Sequence, residues 1–185
     1  MNNMIRALSE NGGVVFCGVD STNIVSQMEA YQHPSAVVTA GLGRLLTAAS
    51  LIGIMMKNTE DSVTLRVEGD GPAGLLLAVG DGLGNVKGYA ANPIVEIPPR
   101  ADGHLNVGAA VGKGMLSVIR DLGLKEPYVG QVPLVSGEIA VALPAGRENL
   151  EFSNPNSIVI CGDQPDMIRR ALDIGVSCLI LCQTE

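Results

Sequence analysis

Residues 33–57, HPSAVVTAGLGRLLTAASLIGIMMK, constrain the fold of this 185-residue chain more than any other stretch. Pro34 suits a first helical turn, where its missing N–H costs nothing. From Ala36 to Met56 nearly every helical face is apolar, with Val37, Val38, Leu42, Leu45, Leu46 and Leu51 among the bulky positions. A helix apolar all round is either a membrane span or the buried centre of a globular domain. The run has the length, about 20 residues, that a bilayer requires. Arg44 sits near its middle, where lipid would make it costly, with Thr39, Thr47 and Ser50 around it. We therefore expect a core helix over 34–57, with the rest of the chain packed around it and no membrane association.

The flanking sequence supplies the packing. Gly13–Val19 reads as a short buried strand, and Asp20 or Ser21 caps a helix over Thr22–Tyr31. Val63–Glu68 alternates strictly, as a half-buried antiparallel strand does. Gly69-Asp-Gly-Pro72 is turn chemistry. Leu75–Val79 reads as a fully apolar strand, and Asp81–Asn85 turns the chain into a strand over Val86–Ala91. Asn92–Arg100 carries three prolines and is expected to be extended at a sheet edge. His104–Val111, Met115–Arg120 and Tyr128–Leu134 are further strand candidates. Ser136–Ala140 looks like a capped helix start, yet Pro144 and Gly146 stop it within about two turns. After Arg147 the pattern becomes βαβ: an apolar run at 157–161, a helix opened by Gly162 and Asp163, and a second apolar strand at 176–181. Such a unit is parallel and right-handed. The expected fold class is α+β, mixed β-sheets around a central buried helix, with a small C-terminal βαβ unit.

Composition removes several functions. A net charge of −7, with twelve scattered Lys and Arg, opposes binding to a phosphate backbone. Aromatics make up 3% of the chain, too few for base-stacking platforms. Nucleic acid is not an expected partner. The N-terminal MNNMIRALSENGG has no secretory pattern, and the four cysteines resemble no secreted disulfide framework, so a cytoplasmic location is expected. Mean hydropathy of +0.30 points to buried subunit contacts or an adhesive surface.

Four stretches carry a resemblance: HPSAVVTAGLGRLLTAASLIG (33–53), LRVEGDGPAGLLLAVGDGLGNVKGYAANP (65–93), GHLNVGAAVGKGMLSVIRDLG (103–123) and KEPYVGQVPLVSGEIA (125–140). Residues 1–140 resemble the N-terminal domain of the 33-kDa heat-shock chaperonin family, redox-regulated holdases. The resemblance implies a non-enzymatic, ATP-independent chaperone whose partners are unfolded client proteins and which forms a homodimer. It also implies a zinc module with CxC and CxxC pairs, whose oxidation uncovers apolar surface. No position in this sequence matches those zinc thiolates, so neither a metal site nor any cofactor is expected. Residues 141–150 read as a junction. Residues 151–185, through SIVICGDQPDMIRRALDIGVSCLIL, resemble the second half of a DRTGG-type regulatory domain, which implies a small-ligand or nucleotide-sensing module as an alternative function.

No catalytic constellation is present. Gly162 and Asp163 are ligand-binding candidates, because a strand-to-helix turn presents backbone N–H groups to an anion. Asp163 and Asp166 occupy that end themselves, which favours ordinary capping. Cys161, Cys178 and Cys182 are redox candidates. Cys161 and Cys182 end the two parallel strands, although strand thiols commonly serve as small hydrophobes. Cys17 is read as packing, His33 as a cap or surface residue, and Arg44 as paired with a carboxylate or carbonyls. Gly41, Gly43 and Gly53 point to close backbone approach. The Gly80–Gly84 run is not followed by a helix, so it is no dinucleotide fingerprint.

Overall fold

A computed structural model describes residues 4–8, 15–134, 139, 158–161 and 178–182. In chain order the elements are β1 (Met4–Leu8), β2 (Val15–Val19), α1 (Thr22–Gln32), α2 (Ala36–Ile54), β3 (Ser62–Gly69), β4 (Leu75–Asp81) and β5 (Val86–Ala90). They continue as α3 (Val107–Val111), β6 (Gly114–Asp121), β7 (Tyr128–Pro133), β8 (Ile158–Cys161) and β9 (Cys178–Cys182).

The apolar helix is α2. It is long and apolar enough to cross a membrane, but 72% of its most apolar window is buried inside the protein. It packs against β3, β4 and β5 on one side and meets β2 and β9 on another, which is why no face of it is polar. Of its buried hydroxyls, Thr39 Oγ1 has no hydrogen-bond partner among the described residues, and two are satisfied by backbone carbonyls. Thr47 Oγ1 donates to the Gly43 carbonyl at 2.8 Å and Ser50 Oγ donates to the Gly84 carbonyl at 2.7 Å. A Cβ at Gly53 would lie 2.2 Å from the Asp81 carbonyl oxygen, so only glycine lets the helix backbone rest on β4 there. Pro34 falls just outside the helix, because Ser35 takes the N-cap position with extended backbone. Ser35 N–H donates to the Pro93 carbonyl and its Oγ accepts from Val95 N–H. The proline-rich Asn92–Arg100 segment forms no strand, and through Pro93 and Val95 it is tied to the start of α2 instead of lining a sheet edge.

Five strands form one antiparallel sheet in the order β5-β4-β3-β6-β7. Val63, Leu65 and Val67 are fully buried, as the alternation of β3 predicts. A second, four-stranded sheet runs β1-β2-β9-β8, with β1 antiparallel to β2 and the other two pairings parallel. The strands expected at 157–161 and 176–181 are β8 and β9, and β9 lies directly beside β2. The helix expected between them, the 141–150 junction, and all of Ser136–Ala140 except Ile139 lie outside the described residues.

One strand expectation is overturned. His104–Val111 holds the short helix α3, opened by Asn106, whose Oδ1 accepts from Ala109 N–H at 3.1 Å. Val107, Ala110 and Val111 fall at helical spacing (i, i+3, i+4) and are all buried. At the start of α1 it is Asp20, not Ser21, that supplies the side-chain bond, accepting from Thr22 N–H. A hydrogen bond from the Thr22 side chain and, after it, the backbone one hold the Asp20 carboxyl below its ordinary pKa. His33 ends the helix in the left-handed region, with φ 48° and its N–H donated to the Glu29 carbonyl.

Candidate functional site

Side chains alternate across a strand, so the register of the five-stranded sheet assigns two faces. The inner face carries Val63, Leu65 and Val67 with Leu76, Ala78 and Leu116, each 2% exposed or less. The outer face consists of three rows. Lys87, Val79, Thr64, Ile119 and Val129 form the first. Tyr89, Leu77, Arg66, Ser117 and Gln131 form the second, and Leu75, Glu68, Met115 and Pro133 the third.

An antiparallel sheet with one wet face ordinarily turns polar residues outward. Here the central strand β3 does so at every outward position, and the flanking strands add only Lys87, Ser117 and Gln131 among apolar residues. Thr64, Arg66 and Glu68 make a polar ridge along β3, the last two joined as an ion pair. On one side of the ridge lie Leu75, Leu77, Val79 and Tyr89, and on the other Met115, Ile119, Val129 and Pro133. Tyr89 is 46% exposed, Met115 38% and Val129 59%, while Leu75, Leu77, Val79 and Ile119 are half-buried. Gln131 Nε2 donates to Ser117 Oγ at 3.1 Å, so the polar groups among the apolar ones are satisfied without a ligand. Two apolar strips divided by a charged ridge form a surface suited to apolar polypeptide, since a broad exposed apolar patch marks an interaction site. Sequence reasoning nominated none of these residues. The available signal was the run LLLAV at 75–79: beside a single helix, only alternate members of such a run can be buried.

The residues that were nominated lie elsewhere. Cys161 and Cys182 are register partners at the ends of β8 and β9. Adjacent strands are about 4.8 Å apart, within the Cα separation a disulfide spans. Cys178 begins β9, opposite Val15 and about 13 Å along the strand from Cys182, so it is not brought to that pair. Gly162 and Asp163 lie outside the described residues. Cys17 is buried, at 2% exposure, and Arg44 is half-buried on α2. His33 is exposed at the end of α1, and His104 Nδ1 lies 3.3 Å from Asp102 Oδ1 on an exposed turn. Among the described residues, no group of three or more His, Cys, Asp or Glu is placed to hold a metal ion. The Gly80–Gly84 run forms the turn between β4 and β5. Asp81 Oδ1 accepts from the N–H groups of Leu83 (2.9 Å) and Asn85 (3.0 Å), and Oδ2 accepts from Asn85 Nδ2. Burial would raise the Asp81 pKa, but the hydrogen bonds from Asn85, Leu83 and Gly84 outweigh it and hold the carboxyl below its ordinary value.

The profile of the Hsp33 protein family matches residues 2–145. A 33 kDa chaperonin of Alkaliphilus metalliredigens is 47% identical over 137 residues, covering 74% of this chain and 47% of that protein. One from Clostridioides difficile is 49% identical over 138 residues, with the same two coverages. Among solved structures, the 33 kDa chaperonin of Thermotoga maritima superposes with a TM-score of 0.72 at 38% identity, covering 76% of this chain and 48% of that one. The chain therefore spans about half the length of the relatives it matches.

Proposed function

We propose, from the premise that this chain belongs to the Hsp33 protein family, that it is a non-enzymatic holdase core. It binds unfolded client polypeptides without ATP. The observation that carries the proposal is the outer face of the five-stranded sheet, where two apolar strips flank the Thr64–Arg66–Glu68 ridge. Unfolded chains expose apolar side chains, and burial of apolar area stabilises association at about 25 cal/mol per Å². The ridge keeps the face hydrated between clients.

Client binding by these residues does not depend on zinc. The four cysteines, at 17, 161, 178 and 182, include no CxC or CxxC pair, and a closed tetrahedral site needs four ligands. Within these 185 residues, client binding is constitutive. The apolar composition supports a homodimer, the net charge of −7 opposes nucleic-acid binding, and cysteine spacing unlike a secreted disulfide framework supports a cytoplasmic location. The test is light scattering of one purified thermolabile enzyme as it unfolds, with this protein added, in parallel under reductant and under peroxide. Suppression of aggregation in both arms is expected. Suppression only under peroxide would make the Cys161–Cys182 pair a switch, and suppression in neither arm would refute the holdase function.

A further inference from the structure

A second surface stands apart from the outer sheet face. Between α1 and β5 lies a groove of about 720 Å³. Its floor is apolar, with Ile24, Met28, Leu46 and Val86, and its rim carries the carboxamides of Asn23, Gln27 and Asn85. One wall is the edge of the five-stranded sheet, where β5 has, among the described residues, a strand partner on one side only. Gln32 shows what that edge accepts. Its Nε2 donates to the Gly88 carbonyl at 2.9 Å, and its Oε1 accepts from Ala90 N–H at 3.3 Å. One carboxamide thus supplies a donor and an acceptor to this edge, as one residue of an added strand would through its own N–H and C=O. In an antiparallel ladder every second residue turns its N–H and C=O to the same edge, so Val86 presents its own pair toward the groove.

We propose that this groove takes one extended, uncharged segment of a client polypeptide by strand addition to β5. Gln32 occupies the first position of the register and Val86 offers the next. Backbone hydrogen bonds supply attraction that does not depend on client sequence. The carboxamide rim, where Lys87 is the one charged residue among the described residues that line the groove, suits neutral peptide backbone better than an ionic ligand. This inference rests on the holdase function and names a mode of client capture that the outer face does not provide.

The test uses the full chain with a photoreactive phenylalanine derivative at Gln27 in the groove, at Val129 on the outer face, or at Glu60 on a remote turn. The client is the same purified thermolabile enzyme. Crosslinking at 27 and 129 but not at 60 is expected. Val86→Pro removes the outward N–H while sparing the β4 ladder, and should lower crosslinking at 27 at least fivefold while leaving that at 129. Crosslinking at 129 with none at 27, or a yield at 27 indifferent to Val86→Pro, overturns the groove and leaves the holdase function standing. No crosslinking anywhere, with no suppression of aggregation, overturns both. If Val86→Pro does not fold, the unmodified chain is titrated with a neutral Val/Ser-alternating peptide and its alternately N-methylated analogue. Strand addition requires at least fivefold weaker binding of the analogue, and equal binding refutes it.

Discussion

Gly53→Ala should destabilise the protein although it improves the helix. In an exposed helix interior, Gly→Ala gains about 1 kcal/mol, and Gly53 sits within α2 with no left-handed backbone to protect. The Cβ it would acquire lies 2.2 Å from the Asp81 carbonyl oxygen, 1.2 Å short of the 3.4 Å at which ordinary contact begins. That oxygen belongs to the backbone of β4 and cannot rotate away. Overpacking of this kind costs about 1–3 kcal/mol, and a clash with fixed backbone belongs toward the upper end, so the net expectation is a loss of about 1–2 kcal/mol. Two glycines on the same helix serve as controls. At Gly41 the nearest atoms are Leu76 Cδ1 and Val107 Cγ1, both at 3.4 Å, and the full propensity gain should appear. At Gly43 the nearest is Val25 Cγ2 at 3.1 Å, a side-chain methyl that can shift, and the result should fall between. Urea titration followed by far-UV circular dichroism orders the three, with Gly41→Ala about 2–3 kcal/mol more stable than Gly53→Ala. At about 2–4 °C per kcal/mol for a chain of this size, thermal melts would separate them clearly. A Gly53→Ala variant as stable as Gly41→Ala would refute the direct seating of α2 on β4.

Three other expectations follow from single contacts. Ser50→Ala strands the buried Gly84 carbonyl and should cost about 1–3 kcal/mol in urea titration. The depressed pKa of Asp81 means that its ionised form stabilises the fold above the unfolded value of about 3.9, and that this contribution is lost as pH falls through the lower folded value. Asp81→Asn should therefore lower stability near neutrality and flatten its dependence on pH below about 4, as melts across that range would reveal. A zinc chelator should leave suppression of client aggregation unchanged, and a loss of suppression on chelation would show that the chain holds a functional metal.

Much of the fold is legible because its strongest signals are local. The alternation Val63-Thr-Leu-Arg-Val-Glu68 sets both the strand and its buried face, and an all-apolar α2 requires neighbours on several sides. The errors occur where two elements share one signature. Val107-Gly-Ala-Ala-Val111 is short and apolar, so periodicity alone does not separate strand from helix; the Asn106 cap decides it. The prolines at 93, 98 and 99 force extended backbone without saying what it lies against, and the hydrogen bonds to Ser35 supply that. The outer face was hidden for a different reason. A continuous apolar strand suggests burial on both sides, whereas Leu75, Leu77 and Val79 look away from α2, the helix that packs on their strand. Pairing of β2 with β9 joins residues more than 150 positions apart, beyond the reach of any local pattern.

The most direct test of the central claim is client protection by a chain whose outer face has lost its apolar character. Val129→Asp with Met115→Lys keeps the net charge at −7, and Met115 lies opposite Glu68, so the lysine gains a favourable neighbour. Both positions are exposed, and the fold should persist by circular dichroism. Light scattering with the thermolabile client should then show suppression reduced several-fold relative to the unaltered chain. A folded double variant that protects the client as well as the parent would contradict the assignment of client binding to this face.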